Sequence, residues 1–346
     1  MSLKIGSLFA GYGGLDLGIQ AVVPDVTTAW VSEIEPGACK VLAERFPGAP
    51  NIGDITAINH ADLEPVDIIC GGSPCQDLSS AGARAGMTEG TRSNLWVAMR
   101  ETIAAIQPNY VVWENVKGAC SATAASRMES DTRLLGDHPA TQPPLRALGR
   151  VLGDLANLGY DTQWHGIRAS DIGAPHARYR VFALATKHGA PPLPVSGIPA
   201  ITPSPGPLLS TLAACRRDNG STISYLVRMQ KLKAQDPDNG FSMPAGFQLT
   251  MEHERVGGLG MYTPAAQHWE RQLGRPAPEA LTVRGYYHAT ITPRFCEWMM
   301  GLPEGWITDV DGVSDRQAKA MCGNGVVPQQ AAAALQTVAL WRQAAA

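Results

Sequence analysis

Short apolar runs alternate with helical patterns along the first half of the chain, and this alternation constrains the fold more than any other feature. A mostly parallel sheet with helices on both faces is the arrangement that buries such alternating elements. The sequence therefore predicts an α/β fold with a doubly wound, Rossmann-like sheet. The predicted strands are LKIGSLF, VTTAWVSE, VDIICGG, NYVVWENV, DTQWHGIRA and YRVFALAT, and the predicted helices include LDLGIQAVV, PGACKVLAERF and LWVAMRETIAAI.

The pattern changes after Thr186, where seven prolines fall between Pro191 and Pro207. Proline excludes regular helix and central strand, so a smaller, irregular second domain is predicted there. The C-terminal segment PQQAAAALQTVALWRQAAA is typical of a helix. The predicted organisation is a large domain at 1–186, a smaller domain at 187–281 and a C-terminal segment at 282–346.

Composition excludes several classes of protein. Hydrophobic residues make up 45% and charged residues 17% of the chain, as in ordinary globular proteins. The net charge is -3, although 187–275 holds nine Lys/Arg against six Asp/Glu, a weak indication of contact with phosphate. Seven cysteines without a C-x-x-C pair indicate neither a disulfide framework nor a zinc site. No signal peptide and no apolar stretch of membrane-spanning length is recognisable, so a cytoplasmic setting is expected.

A glycine-rich turn, FAGYGGLDLG at 9–18, follows the first predicted strand. Glycines there let the backbone approach a ligand beside a helix N-terminus. The nicotinamide fingerprint fails because Asp16 occupies its third glycine position. Glu33 ends the second strand, where a carboxylate meets ribose hydroxyls. Asp54, in GDIT, is expected at the end of a third strand, from which it could reach an adenine amino group. These residues favour an adenosine-bearing ligand over a tight turn with capping acids.

The stretch GGSPCQDLS places Cys75 just after a predicted buried strand. A thiol at the carboxyl edge of an α/β sheet is a candidate nucleophile, whereas Cys70 fits a buried structural residue. Leu78 stands where the P-C-x-x-C signature of zinc deaminases needs a cysteine, which excludes that class. Glu114 ends the next strand, where an apolar site would raise the pKa of its carboxyl group and allow it to donate a proton. Arg178 and Arg180, two apart, would point to one face of a strand and bind an anion or a polarised carbonyl.

The ordered motifs FAGYGG, EIEPGA, GDIT, GGSPCQDLS, ENV, APHARYRVF and CGNGVVP resemble those of cytosine-5 DNA methyltransferases. The resemblance covers nearly the whole chain except 187–281, where the family keeps its variable target-recognition domain. It implies S-adenosylmethionine as cofactor, no metal, and a final helix that returns to the large domain. It also implies cofactor contacts at Phe9, Gly11, Tyr12, Gly14, Glu33, Ile34, Asp54, Ile55, Gly72, Pro74, Leu95, Asn324 and Val326.

The resemblance further implies the catalytic roles. Cys75 would add to C6 of a flipped-out cytosine, Glu114 would bind N3, and Arg178 and Arg180 would assist. The residues after Cys75 would form a lid with glycine pivots. The expected partner is double-stranded DNA, not a membrane. The candidate DNA contacts are Gln76, Ser79, Arg84, Arg92, Arg216, Arg217, Arg228, Lys231, Lys233 and Arg255.

Three positions depart from the pattern of the family. Ser73 stands where phenylalanine is usual in bacterial members, Ile34 replaces a commoner aromatic residue, and His176 replaces a frequent glutamine. Two alternatives stay open, a tRNA cytosine-5 methyltransferase and an inactive binding protein on the same fold. A monomer is expected, in a bacterium or a phage-infected host, either with a partner restriction endonuclease or as an orphan enzyme.

Overall fold

The computed structural model describes residues 2–73, 95–120, 147–197, 202–205, 208, 262–284 and 288–345. The chain divides into two compact units. Unit 1 comprises Met1–Ile167, Tyr179–Pro199 and Pro328–Ala346, and unit 2 comprises Arg168–Arg178 and Ala200–Val327. No helix among the described residues is long and apolar enough to cross a membrane.

Six strands form one sheet, in the order β2-β1-β3-β4-β6-β5. The pairs β1–β2, β1–β3 and β3–β4 are parallel, whereas β6 runs antiparallel to β4. The predicted α/β fold with a mostly parallel sheet is therefore confirmed. The strands are β1 Leu3–Leu8, β2 Val26–Ser32, β3 Ile68–Gly71, β4 Tyr110–Val116, β5 Tyr160–Arg168 and β6 Tyr179–Lys187.

One helix of unit 1, α2, begins where its sequence supplies a cap. The helix α2 has proline at its start, and the side chain of Glu35 accepts a hydrogen bond from the Ala38 amide. The last helix, α8, packs on α1 and on β6 through an alanine-rich face that includes buried Ala331, Leu335 and Val338. The helices are α1 Gly14–Val22, α2 Pro36–Arg45, α3 Leu95–Ile106, α4 Ala147–Asn157 and α8 Pro328–Ala345.

Unit 2 has a core built around a buried carboxylate. Glu297 is 2% exposed, and its two oxygens accept hydrogen bonds from the amides of Gly305, Ile307 and Thr308 at 2.6 to 2.9 Å. These bonds fix the turn that follows α6. The elements are α5 Thr263–Leu273, β7 Leu281–Arg284, β8 His288–Ile291, α6 Pro293–Met299 and α7 Asp315–Asn324, and β7 pairs with β8 in an antiparallel ribbon.

The residue that breaks the nicotinamide fingerprint, Asp16, lies fully buried under the glycine loop. The hydroxyls of Ser7 and Thr28 donate hydrogen bonds to its two oxygens at 2.7 and 3.0 Å. Burial raises the pKa of Asp16 to about 6, and these hydroxyls partly offset that rise. One polar side chain therefore ties α1 to β1 and β2 beneath the loop.

Replacing Asp16 by asparagine is expected to remove a pH dependence of stability. An acid whose folded-state pKa lies above its unfolded value of 3.8 stabilises the fold fully below pH 3.8, and that contribution is lost as the pH rises through about 6. The total loss approaches about 3 kcal/mol. Urea unfolding of both proteins between pH 4 and 7 should give a wild-type free energy of unfolding that falls relative to Asp16→Asn. A difference between the two that stays constant with pH would contradict the burial argument.

Candidate active site

The glycine loop and the Glu33 carboxylate form one hydrogen-bonded unit. Phe9 and Gly11 both adopt left-handed backbone angles, with φ of 54° and 57°, and this turns the chain sharply out of β1. One oxygen of Glu33 then accepts a hydrogen bond from the Gly11 amide at 2.8 Å, and the other accepts from the amides of Ile34 and Glu35 at 2.8 Å. A left-handed phenylalanine is rare, and backbone strain of this kind tends to cluster at functional sites. Glu33 therefore holds the exit of β1 to the exit of β2.

Asn51 is a residue of this site that the sequence analysis missed. Its side-chain oxygen accepts from the Glu33 amide at 3.1 Å, and its side-chain nitrogen donates to the Glu33 carbonyl at 3.0 Å. The same oxygen accepts from the Gly53 amide, which joins the GDIT segment to β2. An asparagine three positions before the expected adenine-contacting aspartate is the only signal that the sequence carries for this role.

The sequence predicted Asp54 at the end of a third strand, but in the structure Asp54 lies in a turn. The nearest strand pairing is a single bridge between Val31 and Asn51. The Asp54 carboxylate accepts from the amide and the hydroxyl of Thr56 at 2.9 and 2.8 Å, and these bonds lower its pKa. Ile55 is buried, whereas Ile34 is 68% exposed. An exposed isoleucine beside Glu33 leaves an apolar surface available to a flat ring.

Other residues predicted for the cofactor lie in the core or at the starts of helices. Tyr12 is 1% exposed and lies within the core. Gly14 begins α1, and Leu95 begins α3. Cys70 is fully buried and its pKa is raised well above its usual value by burial, as expected for a structural cysteine.

The ends of β3 and β4 bring Gly72 against Glu114. A methyl group built on Gly72 would lie 2.6 Å from Glu114 Oε2, so only glycine leaves room for the carboxylate. Glu114 is 7% exposed, and it forms an ion pair with the Arg180 guanidinium, with 2.8 Å between Arg180 Nε and Glu114 Oε1. Antiparallel pairing places Arg180, near the start of β6, beside the end of β4. The result is a buried ion pair at the carboxyl edge of the sheet.

Arg178 and Arg180 bind different groups, which differs from the expectation that both point to one place from a strand. The strand β6 begins at Tyr179, so Arg178 precedes it and belongs to unit 2. The Arg178 guanidinium donates to the carbonyls of Cys322, Gly323 and Gly325, the first two at 3.4 and 2.9 Å. It thereby holds the C-terminal end of α7, where Asn324 is exposed and Val326 is buried.

His176, the residue that replaces a glutamine, is 5% exposed and shares a hydrogen bond with the Met299 carbonyl at 3.0 Å. Among the described residues, no group of three or more His, Cys, Asp or Glu side chains could hold a metal ion. Several predicted residues lie outside the described residues: Pro74, Cys75, Gln76, Ser79, Arg84, Arg92, Arg216, Arg217, Arg228, Lys231, Lys233 and Arg255.

The mostly parallel sheet and the glycine turn that follows β1 define a Rossmann-like α/β protein. The sequence model of C-5 cytosine-specific DNA methylases matches residues 3–339. The chain belongs to that family, as the motif order predicted.

Curated relatives are type II methyltransferases. M.NlaIV of Neisseria lactamica is 31% identical over 207 residues, which cover 59% of this chain and 45% of that protein. M.AquIA of Picosynechococcus is 32% identical over 198 residues, which cover 55% of this chain and 74% of that protein. The chain therefore spans about half the length of some of the relatives that it matches.

Solved structures share the fold at low sequence identity. The S. pombe Dnmt2 methyltransferase superposes with a TM-score of 0.53 at 14% identity, over 99% of each chain. The Entamoeba histolytica methyltransferase EhMeth gives the same TM-score at 13% identity, also over 99% of each chain. These likenesses establish the Rossmann-like fold of the chain.

Substituting alanine for Gly72 is expected to slow the methyl transfer that family membership predicts, with little loss of stability. The added methyl group meets the end of a flexible side chain, so the Glu114 carboxylate moves and its ion pair with Arg180 is disturbed. A displacement of about 1 Å in a reacting group costs on the order of 10²-fold in rate. Single-turnover methyl transfer to DNA measures the effect.

Gly153→Ala is the matched control, because no atom lies within 4 Å of a methyl group built on this glycine of α4. It should leave the rate unchanged and stabilise α4 by up to about 1 kcal/mol. A Gly72→Ala enzyme as fast as wild type would show that the close approach to Glu114 has no part in the reaction.

Proposed function

We propose that this protein is a DNA (cytosine-5-)-methyltransferase that transfers a methyl group from S-adenosylmethionine to C5 of a cytosine in a specific duplex site. The buried Glu114–Arg180 pair carries the proposal. It lies near the end of β4 and beside Gly72, and Gly72 precedes Cys75 by three residues in the sequence. Burying an ion pair costs desolvation free energy that the attraction between the charges often does not recover, so a buried pair is weak evidence for a stabilising role. Family membership supplies a reaction in which this pair can act.

The residues around the glycine loop fit the nucleoside of the cofactor. Glu33 Oε1 already accepts from two backbone amides, whereas Oε2 accepts from the Gly11 amide alone among the described residues, so its second lone pair can accept a ribose hydroxyl. Ile34 offers an exposed apolar side chain to the adenine face, and Asp54 is an exposed acceptor for its amino group. When bound, S-adenosylmethionine supplies an electrophilic methyl group on a sulfonium.

Cys75 is the proposed nucleophile. Its thiolate adds to C6 of cytosine, and the electron pair of the C5–C6 double bond makes C5 nucleophilic toward the methyl group. After transfer a base removes the C5 proton, the double bond re-forms and the Cys75 thiolate leaves. C5 and C6 are inaccessible within a stacked duplex, so the cytosine must be flipped out.

Glu114 and Arg180 act on the charge that develops at N3. Glu114, protonated, hydrogen-bonds N3 and neutralises the charge that develops there as the thiolate adds to C6. Arg180 holds the carboxyl group of Glu114 in place. Arg178 acts on unit 2 by holding the backbone of 322–325, beside Asn324 and Val326, the proposed cofactor contacts.

The proposed partner is double-stranded DNA. Basic residues of 187–281 and of the segment after Cys75 are the candidate contacts with phosphates and bases. Relatives named as type II methyltransferases support a pairing with a restriction endonuclease, and we extend the proposal to a monomer in the cytoplasm of a bacterium or a phage-infected host.

Expression of the chain in a host without cytosine methylation tests the function. We expect 5-methylcytosine at one sequence motif of the plasmid, and none when Cys75→Ala is expressed. In vitro, the purified variant should transfer no methyl group yet bind S-adenosylmethionine with nearly wild-type affinity, since the thiol attacks the base. Transfer to tRNA alone, or no transfer to any DNA, would overturn the proposal.

Glu33→Ala is expected to raise the dissociation constant of S-adenosylmethionine more than it slows the loaded enzyme. Hydrogen bonds to a charged group contribute about 1.5–3 kcal/mol, which corresponds to roughly a 10- to 100-fold weaker complex. Equilibrium titration with the cofactor and single-turnover rates at saturation separate the two effects.

Glu35→Ala provides the matched control, because Glu35 is the neighbouring carboxylate and caps α2 instead of the loop. Its removal should cost helix stability and leave the dissociation constant within about twofold of wild type. Equal effects of the two substitutions on cofactor affinity would argue against the assignment of Glu33.

A further inference from the structure

Ser73, the departure from the aromatic residue usual in the family, is a buried hydrogen-bonding residue. It is 3% exposed and lies two positions after the end of β3. Its hydroxyl accepts a hydrogen bond from Trp113 Nε1 at 3.2 Å, and its backbone carbonyl accepts from Asn115 Nδ2 at 3.3 Å. Two of its partners are thus the residues that flank Glu114 on β4.

Core packing fixes the direction of the Trp113 N–H bond. The ring is fully buried and meets Trp96 edge to face, with 6.3 Å between ring centroids and planes at 74°. Trp96 is itself held by a hydrogen bond from Nε1 to Asp154 at 2.8 Å. An indole has a single donor, and a buried donor without an acceptor is costly. The ring therefore presents its donor at one place, and Ser73 Oγ is there.

Asn115 is anchored to its own strand. Its side-chain oxygen accepts from the Val116 amide at 2.8 Å, which leaves the side-chain nitrogen directed at Ser73. Trp113 and Asn115 share one face of β4, because side chains alternate along a strand, and Glu114 lies on the other. Gly72 faces Glu114 while Ser73 faces its two neighbours.

The backbone pairing of β3 with β4 ends at Gly71 and Trp113. Beyond that pair, the side chains of Trp113 and Asn115 donate hydrogen bonds to Ser73, and these bonds hold Ser73 beside β4 where the backbone pairing has ended. Cys75 follows Ser73 by two residues in the sequence. These hydrogen bonds therefore fix the distance between Ser73, which precedes Cys75 by two residues, and the strand that carries Glu114.

We propose that Ser73 is a positioning residue for methyl transfer, which acts together with Trp113 to hold the chain before Cys75 at a fixed distance from Glu114. The inference rests on the proposed function of Cys75 and Glu114. It predicts that the hydroxyl–indole hydrogen bond influences addition of the thiolate to the base, and has little influence on cofactor binding.

A double-mutant cycle of Ser73→Ala, Trp113→Phe and the double variant tests the coupling. The probe is duplex DNA with 5-fluorocytosine at the target position, because fluorine replaces the proton whose removal releases Cys75 and so leaves the enzyme attached. Each single variant should form the covalent adduct about 10- to 100-fold more slowly than wild type. The double variant should be no slower than the slower single variant, and the dissociation constant of S-adenosylmethionine should change less than about threefold.

Trp269→Phe is the matched control for loss of a buried indole donor. Trp269 lies in α5 of unit 2, is 1% exposed, and donates from Nε1 to the Trp298 carbonyl at 3.0 Å. Its urea midpoint should fall while the rate of adduct formation per folded molecule stays at the wild-type value. If Ser73→Ala does not fold, the rates of adduct formation of Trp113→Phe and Trp269→Phe are compared instead, because only Trp113→Phe removes the hydrogen bond to Ser73.

The outcomes separate the inference from the proposed function. A wild-type protein that forms no adduct with any duplex would refute the function itself. An active wild type with Ser73→Ala and Trp113→Phe equally fast would refute the positioning role alone. Single effects that multiply in the double variant would also refute it, since independent residues would then be responsible.

Discussion

The parallel pairing of β3 with β4 is the interaction on which the rest of the site depends. It ends both strands at the same edge of the sheet, at Gly71 and Trp113, so the residues that follow each strand must meet. Glu114 faces Gly72 there, and the antiparallel β6 adds Arg180 from the beginning of its strand. Because β6 runs antiparallel to β4, its first residues, including Arg180, lie at this edge. A parallel β6 would place its last residues there instead.

Three carboxylates of unit 1 are stabilised in three different ways. Glu33 accepts only backbone amides among its described partners, Glu114 pairs with a guanidinium, and Asp16 accepts hydrogen bonds from two hydroxyls. Burial raises the pKa of Asp16, and its hydroxyl partners partly offset that rise. The carboxylates proposed for ligand and base thus have partners that differ in kind from those of the structural carboxylate.

Periodicity and motif order were sufficient to predict the strands, the helices and the positions of Glu33 and Glu114, because these follow from local pattern and from where parallel strands end. They were not sufficient for residues whose role comes from a partner distant in sequence. Asn51, Trp113 and Ser73 have no local signature, and each acts through a side-chain bond across the sheet edge. Asp54 was misplaced on a strand for a similar reason, since a single bridge at Asn51 replaces a ladder. The split between Arg178 and Arg180 depends on where β6 begins, and element boundaries are the least certain part of any pattern.

The return of α8 to unit 1 has a consequence for biosynthesis. The face of α1 that α8 covers is made within the first residues of the chain, whereas its cover is translated only after all of unit 2. A ribosome therefore releases an apolar helix face long before the chain can bury it, and unit 1 completes its outer layer only once residues 328–345 emerge. Nascent chains thus lack a finished unit 1 until synthesis has passed the whole of unit 2.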